Sequence, residues 1–195
     1  MCNLYRLEKA AEAILRAFSD RQALLVFPEG VPNFQPRDIR ITDPAPIVRA
    51  AAGDSGAAEL VTRRWSWPGP SGKPVYNYRS DGREFASGRC LILADGFYEY
   101  TKPADPKRKR KDKWLFTMGE EELFAIAGLW RSTPDWGEAF TMLTTEPGPD
   151  VSPYHHRQVA VLARDQWERW LDPAASAKGM LGPLPAGTLR VAKSA

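Results

Sequence analysis

Cysteine and histidine are scarce in this sequence, and long apolar runs are missing. Two cysteines among 195 residues, Cys2 and Cys90, are too few for the disulfide framework of a small secreted domain. The two histidines, His155 and His156, are adjacent, and because neighbouring residues rarely bind one metal, we expect no zinc site. No apolar run approaches the roughly 18 residues of a membrane span, and mixed charges in the first twenty positions argue against a secretory signal.

Several familiar enzyme motifs are absent as well. The sequence has no glycine-rich phosphate loop, no GxSxG elbow and no HExxH helix, which argues against the common kinases, serine hydrolases and zinc metalloproteases. With 43% hydrophobic and 26% charged residues, the composition is that of an ordinary globular domain. We therefore expect one cytoplasmic domain over residues 1–195, with no membrane association, no metal and no cofactor.

Positive charge is concentrated in one segment. Residues 102–113 (KPADPKRKRKDK), here called the basic tract, hold seven Lys or Arg against two Asp. Because this local charge of +5 exceeds the net +3 of the chain, the remainder carries −2. Such a block is typical of a solvated loop. The alternative is a binding surface for a polyanion such as nucleic acid.

Two helices and one irregular connection are predicted. Apolar residues recur at helical spacing over residues 7–18, which indicates an amphipathic helix. A second helix is predicted to open near Asp165, whose side chain suits an N-cap with Glu168 three residues on. Proline and glycine are dense from Pro28 to Pro46, which favours a long irregular connection.

The remaining apolar runs have the length and composition of strands. They lie at residues 46–50, 59–65, 90–100, 114–118, 123–130, 140–145 and 158–163. Many short strands with few helices predict an α+β fold, a single domain with a curved, barrel-like, mostly antiparallel β-sheet core and a few flanking helices.

Cys2 is the first candidate for chemistry. Removal of Met1, which aminopeptidases carry out before small residues, would leave a cysteine with a free α-amine. That amine has a reference pKa near 7.7–8.0 and is partly neutral at physiological pH, so it can attack an aldehyde to give a Schiff base. The adjacent thiol can then close a thiazolidine ring, because the two nucleophiles are held together. The alternative is an accidental cysteine in a frayed terminus.

Glu99 and the histidines are candidate proton-transfer groups. Glu99 lies in the aromatic stretch 97–100 (FYEY), where desolvation would raise its pKa into a useful range. A solvated strand end is the alternative. Histidine suits acid–base work near neutral pH, although an ordinary polar loop explains at least one of His155 and His156.

Asn77, Arg79 and Ser80 lie together in residues 76–81 (YNYRSD). An arginine there can pair with a phosphate, and an asparagine can orient a polar substrate atom. A plain polar turn has the same composition.

Two tryptophans, Trp65 and Trp67, alternate with polar and basic residues including Arg64. Aromatic and basic residues interleaved in this way are typical of stacking on unpaired bases. Core tryptophans on a half-buried strand explain the pattern equally well.

Taken in order, these segments resemble the SOS-response-associated peptidase family, the abasic-site processing proteins. The shared pieces are the Met-Cys start, 64–70 (RWSWPGP), 77–81 (NYRSD), 89–100 (RCLILADGFYEY), 127–130 (AGLW), 144–145 (TT), 155–157 (HHR) and 167–171 (WERWL). The resemblance covers residues 2–172 and leaves 173–195 as a C-terminal extension. Its strongest piece is 89–100.

The resemblance implies a reaction and roles for four residues. Cys2 corresponds to the family cysteine that forms a thiazolidine with the ring-opened aldehyde of an abasic site, which shields the strand from cleavage. Asn77 corresponds to the asparagine that contacts the sugar, and Glu99 to the glutamate that assists proton transfer. His155 corresponds to the histidine that helps open the sugar and reverse the linkage. Terminal processing, by autoproteolysis or an aminopeptidase, is the peptidase-type activity implied.

The resemblance also implies the partner. We expect single-stranded DNA containing abasic sites, bound in a positively charged groove by a monomer that joins the nucleoid during DNA damage. Arg79 corresponds to a family arginine that contacts phosphate. The further expected DNA contacts are Arg64, Trp65, Trp67, Ser80, Thr145 and Arg157.

The sequence departs from the family pattern in places, and other function classes stay open. Asn3 and Leu4 stand where Gly-Arg commonly follows the cysteine, which removes a possible phosphate contact. An N-terminal-nucleophile amidohydrolase also starts Met-Cys and would release ammonia from glutamine. A non-catalytic single-stranded nucleic-acid binding module would bind intact and abasic strands equally and form no covalent product.

Overall fold

In the computed structural model, the described residues are 2–9, 11–19, 24–33, 35–53, 56–119 and 123–194, and strands dominate them. The strands are β1 (Leu4–Leu7), β2 (Leu25–Val26), β3 (Arg37–Arg40), β4 (Pro44–Ala50), β5 (Ala58–Trp65), β6 (Trp67–Pro68), β7 (Pro74–Val75), β8 (Asn77–Arg79), β9 (Arg89–Ala94), β10 (Gly96–Thr101), β11 (Asp112–Met118), β12 (Phe124–Thr133), β13 (Gly137–Thr145), β14 (Gln158–Val159), β15 (Val161–Leu162) and β16 (Leu189–Ser194). The helices are α1 (Ala11–Ser19) and α2 (Trp167–Leu171), the latter preceded by a 3₁₀ turn at Arg164–Gln166.

Five strands form a barrel-like core. β13, β12, β9, β4 and β5 are antiparallel neighbours in that order, and β5 returns to pair with β13 in parallel. Closure leaves these strands without a free edge. Apolar residues from them fill the core, including Ile47, Ile92, Ile126 and Phe140, which are all fully buried. The predicted α+β class, a single domain with a barrel-like and mostly antiparallel sheet, is confirmed.

A second sheet contains the N-terminal strand. Its order is β16–β11–β10–β1–β3, and every pairing is antiparallel. β1 is hydrogen-bonded on both sides, with Tyr5 opposite Phe97 of β10 and Ile39 of β3. Cys2, two residues before β1, is therefore held beside β10. The C-terminal strand β16 lies at the other edge of this sheet, next to β11.

Residues 90–100, predicted as one strand, form two strands that belong to different sheets. β9 lies in the barrel between β12 and β4, whereas β10 lies in the second sheet between β1 and β11. The chain passes from the barrel into the second sheet at Asp95, whose backbone N–H donates to Arg6 O at 3.0 Å. This crossover brings Glu99, on β10, next to the N-terminal segment.

Two predictions for the N-terminal third are wrong in part. The helix starts at Ala11, whereas Leu7 ends β1, because strand pairing on both sides outweighs the helical periodicity of the first residues. The irregular connection from Pro28 to Pro46 contains β3 and the start of β4. β3 is a strand because four of its residues pair with β1, a non-local contact that local composition does not reveal.

The second predicted helix is present, but its cap differs. Gln166 Oε1 accepts a hydrogen bond from Ala163 N at 3.0 Å, in place of the predicted Asp165 cap. Trp167 and Trp170 are buried, and Trp170 Nε1 donates to Cys90 O at 3.0 Å, which attaches α2 to the barrel. Within the described ranges, no helix has both the length and the apolar character needed to cross a bilayer.

Candidate functional site

Cys2 is buried, with 1% of its surface exposed. Its thiol donates to Leu4 O at an Sγ–O distance of 3.2 Å. Burial, together with the nearby charge of Glu99, raises the pKa of this thiol to about 12. The thiol is therefore protonated at neutral pH, so Cys2 in this environment does not behave as a thiolate nucleophile.

Asn77 is positioned on the barrel and contacts the N-terminal segment. Its strand β8 pairs in parallel with β13, with Asn77 opposite Met142. Asn77 Nδ2 donates to Cys2 O at 2.7 Å, which ties the N-terminal segment to the barrel. Its Oδ1 is buried and accepts no hydrogen bond from the described residues, so one acceptor remains for a bound group.

Glu99 is a buried carboxyl group on β10, 2% exposed. Burial raises its pKa from 4.5 to about 7, because charging a carboxylate away from water is unfavourable. Glu99 Oε2 lies 4.0 Å from His155 Nε2. A carboxyl group that titrates near neutrality can both accept and return a proton at physiological pH.

His155 follows a turn at residues 151–154 and faces Glu99 with Nε2. Its Nδ1 lies 3.0 Å from Arg157 N and 3.1 Å from Arg157 O. The neutral ring accepts from that N–H, and the charged ring donates to that carbonyl, so both protonation states have a backbone partner. Burial lowers the pKa of His155, and the charges of His156 and Lys111 lower it further. His156 stacks on His155 with ring centroids 4.3 Å apart.

The four residues predicted to be catalytic thus converge from four parts of the chain. Cys2 comes from the N-terminal segment, Asn77 from β8, Glu99 from β10 and His155 from the turn before β14. Asn77 contacts the Cys2 carbonyl, the charge of Glu99 acts on the Cys2 thiol, and Glu99 lies 4.0 Å from His155. A cysteine, an amide, a carboxyl group and an imidazole brought together in this way have the chemistry needed to position a substrate and to move protons.

Three predicted DNA contacts are parts of the packed structure. Arg157 makes two contacts with Asp81, at 3.2 and 2.6 Å, and donates to Thr144 O at 2.7 Å. The hydrogen bonding from Arg157 to Asp81 lowers the pKa of Asp81. Ser80 Oγ donates to Thr144 O at 2.9 Å. Because Arg157, Ser80 and Thr145 are all buried, these side chains expose little surface to a DNA strand, and their DNA contacts stay a prediction.

The tryptophans also differ from the stacking prediction. Trp65 is fully buried and its Nε1 donates to Tyr76 O at 2.9 Å. Trp67 is 7% exposed and lies under the guanidinium of Arg131, 4.4 Å from the ring centroid. Trp65 belongs to the hydrophobic core, and rings as buried as these two have little free face for a nucleobase.

The exposed aromatic residue in this region is one that sequence reasoning missed. Trp136 is 49% exposed, and the Arg64 guanidinium lies 3.8 Å from its ring centroid. Arg64 also donates to Thr42 O at 3.1 Å. Arg79 is exposed, as a phosphate-binding arginine requires. The sequence signal for Trp136 was weak, because it lies between Asp135 and Gly137 in a turn that joins β12 to β13.

Asp95 is a second residue whose role the sequence did not reveal. Its carboxylate accepts from Arg6 Nε at 2.5 Å, from Lys9 N at 3.2 Å and from Glu8 N. Through these contacts Asp95 binds the end of β1, although the partners are 86 to 89 positions apart in the sequence. Asp95 therefore holds the strand that leads to Cys2. Among the described residues, no group of three or more His, Cys, Asp or Glu is arranged to hold a metal ion.

Comparison with protein-family models places almost the whole chain in one family. The model described as SOS response associated peptidase (SRAP) matches residues 1–193. The chain belongs to the SRAP family. The resemblance seen in the sequence is thereby confirmed.

Relatives of this SRAP chain are found in bacteria and vertebrates. The abasic site processing protein YoaM of Bacillus subtilis is 30% identical over 191 residues, which cover 89% of this chain and 80% of YoaM. The abasic site processing protein HMCES of Gallus gallus is 29% identical over 163 residues, 61% of this chain and 47% of HMCES. The matched region therefore spans about half the length of the chicken protein.

Solved structures share the fold. An X-ray crystal structure of a protein from Bordetella bronchiseptica has 24% sequence identity and a TM-score of 0.74, with all of both chains covered. A protein from Bacteroides thetaiotaomicron has 17% identity and a TM-score of 0.71, covering 100% of this chain and 92% of that one. At these identities, the likeness concerns the fold.

Proposed function

We propose that this protein captures abasic sites in single-stranded DNA covalently, through Cys2 after removal of Met1. The observation that carries the proposal is that Asn77 contacts Cys2 and that Glu99, whose charge acts on Cys2, faces His155, in a chain of the SRAP family. The names of its relatives, abasic site processing proteins, supply the substrate class.

The α-amine is the first nucleophile in this proposal. The high pKa of the buried Cys2 thiol disfavours the thiolate, whereas a terminal amine has a reference pKa near 7.7–8.0. Glu99, with a pKa raised to about 7 by burial, accepts a proton from the Cys2 ammonium. The neutral amine then attacks C1′ of the ring-opened sugar.

The bond changes balance with loss of one water. Addition of the amine to the aldehyde gives a carbinolamine, and His155 donates a proton to the departing hydroxyl as the C=N bond forms. The Cys2 thiol adds across that bond, sulfur to carbon and proton to nitrogen, which closes a five-membered thiazolidine. The closed ring removes the imine that would promote β-elimination, so the DNA strand stays intact.

Asn77 and Arg79 hold the substrate. The buried Oδ1 of Asn77 is an acceptor for a sugar hydroxyl, while its Nδ2 keeps the Cys2 carbonyl in place. Arg79 follows Tyr78 on β8 and is exposed, and it binds a backbone phosphate. The peptidase activity that we propose is confined to processing of the chain's own terminus.

The roles of these residues are tested by separating binding from capture. Glu99→Gln is expected to slow crosslinking to an abasic oligonucleotide at least tenfold and to leave reversible binding to an intact strand within twofold. An equal loss of both would assign Glu99 to the structure. Glu84→Gln, an exposed carboxyl, is the matched control and is expected to behave as wild type. Ammonia release from glutamine would instead support an amidohydrolase.

A further inference from the structure

A basic cavity lies directly beside the Cys2 segment. Its volume is about 510 Å³, and its lining includes Asn3 and Tyr100, the chain neighbours of Cys2 and Glu99. Its lining also includes Arg40, the last residue of β3, and Arg110 and Lys111 of the basic tract. A second cavity of about 400 Å³ shares Arg110 and Lys111 and continues along the tract.

Some cations around these two cavities are already neutralised. Arg108 pairs with Asp112 at 3.2 Å, and Lys193 pairs with the same carboxylate at 3.0 Å. Lys113 pairs with Asp38 at 3.3 Å. These three cations face two carboxylates, so most of their charge is compensated and a net charge of +1 remains among them.

Arg40, Arg110 and Lys111 differ from them. In the part of the chain that the structure describes, no carboxylate lies within ion-pair distance of these three side chains. All three are exposed and line the same cavity. Uncompensated charges of one sign that line a concave surface focus the electrostatic potential and concentrate anions there.

The cavity is electrostatically connected to the reaction site. Burial raises the pKa of Tyr100, as do the charges of Cys2 and Glu99, while Arg110 lowers it. Lys111 is among the charges that lower the pKa of His155. The geometric link is that Asn3 and Tyr100, which line the cavity, are the chain neighbours of Cys2 and Glu99.

We propose that this cavity and its continuation bind the phosphodiester backbone of the DNA strand that flanks the captured nucleotide. Arg40, Arg110 and Lys111 are the phosphate ligands, and the half-buried Tyr100 lines the same cavity. The proposal rests on the proposed function for its substrate. Two adjoining cavities that share cations suit a chain of evenly spaced phosphates better than a single small anion.

The test uses an intact single-stranded oligonucleotide without an abasic site, so covalent capture does not enter the measurement. Fluorescence anisotropy gives its affinity at a series of salt concentrations for wild type, Arg110→Ala/Lys111→Ala and Lys107→Ala/Lys109→Ala. The last variant is the matched control, because Lys107 and Lys109 belong to the same tract and are exposed but do not line either cavity. Arg40→Ala tests whether the third unpaired cation of the cavity contributes to the affinity.

We expect the Arg110/Lys111 variant to lose at least tenfold in affinity at low salt, and the control less than threefold. The slope of log affinity against log salt concentration should fall by about 1.4 for the two lost contacts. Equal losses in both double variants, or no loss in either, would overturn the proposal. If the variants show the expected losses but wild type never crosslinks an abasic strand, the proposed covalent capture is wrong, whereas the proposed phosphate-binding cavity is supported.

Discussion

The buried carboxyl group of Glu99 predicts a specific pH dependence of stability. Its pKa is raised from 4.5 to about 7 by burial. The folded state therefore keeps the Glu99 proton over a range of pH in which the unfolded chain has lost it. Since the folded state binds more protons there, the free energy of unfolding falls as pH rises from about 4.5 to about 7.

The magnitude follows from the size of the shift. The change in pKa from 4.5 to about 7 corresponds to about 3 kcal/mol, of which about 2.5 kcal/mol is expressed between about pH 5 and about pH 8. Glu99→Gln removes the titration and keeps the side-chain volume. The variant should therefore gain stability relative to wild type by about 2.5 kcal/mol as pH rises across that interval.

Urea denaturation at the two pH values measures the effect. The quantity of interest is the difference in the free energy of unfolding between Glu99→Gln and wild type, compared at the two pH values. Glu84→Gln, at an exposed position, should leave that difference near zero. A pH-independent difference for Glu99→Gln would refute the argument that burial controls this group.

Three further predictions concern the residues around Glu99. Asp95→Asn should lower the free energy of unfolding by about 1–3 kcal/mol, since its carboxylate binds the end of β1, and urea denaturation measures the loss; an unchanged midpoint would contradict it. Arg157→Lys should cost about 1–3 kcal/mol in the same assay because a lysine cannot keep both contacts to Asp81, and a wild-type curve would show that the pair is dispensable. His155→Ala should slow reversal of a preformed crosslink, followed by strand exchange onto a competitor oligonucleotide; reversal at the wild-type rate would remove His155 from that step.

The strands of the barrel were predictable because their residues are apolar over short continuous runs. β9 reads RCLILA and is buried throughout, and β4, β5, β12 and β13 also coincide with predicted runs within a few residues. β1 and β3 were missed. Their stability comes from pairing with each other and with β10, and such non-local contacts leave little local signal.

Glu99 could be singled out from the sequence because a carboxylate among aromatic residues is unfavourable unless it has a role. The raised pKa agrees with that reasoning. Its neighbours could not be identified by spacing, since Asn77 and His155 reach the Cys2 segment from distant strands and turns. Only the family resemblance pointed to the whole set.

The predicted nucleic-acid contacts show that residue type alone does not reveal whether a side chain is exposed. Trp65 and Arg157 have residue types that suit DNA, but whether a side chain faces solvent depends on what the rest of the fold packs against it. Trp65 is buried in the core, and Arg157 donates a hydrogen bond to the Asp81 carboxylate. The basic tract, in contrast, is evident from the sequence as a block of positive charge. Which of its cations are paired with carboxylates is seen only in the structure.

Covalent capture through Cys2 is tested most directly by intact mass and a denaturing gel, after incubation with a single-stranded oligonucleotide that carries one abasic site. We expect wild type lacking Met1 to give a heat-stable one-to-one adduct with the summed mass less one water. Cys90→Ala, which changes the other buried cysteine, should do the same. Cys2→Ala should give an adduct only when borohydride reduces the imine. A heat-stable adduct of Cys2→Ala without reductant, or no adduct from processed wild type, would contradict the account.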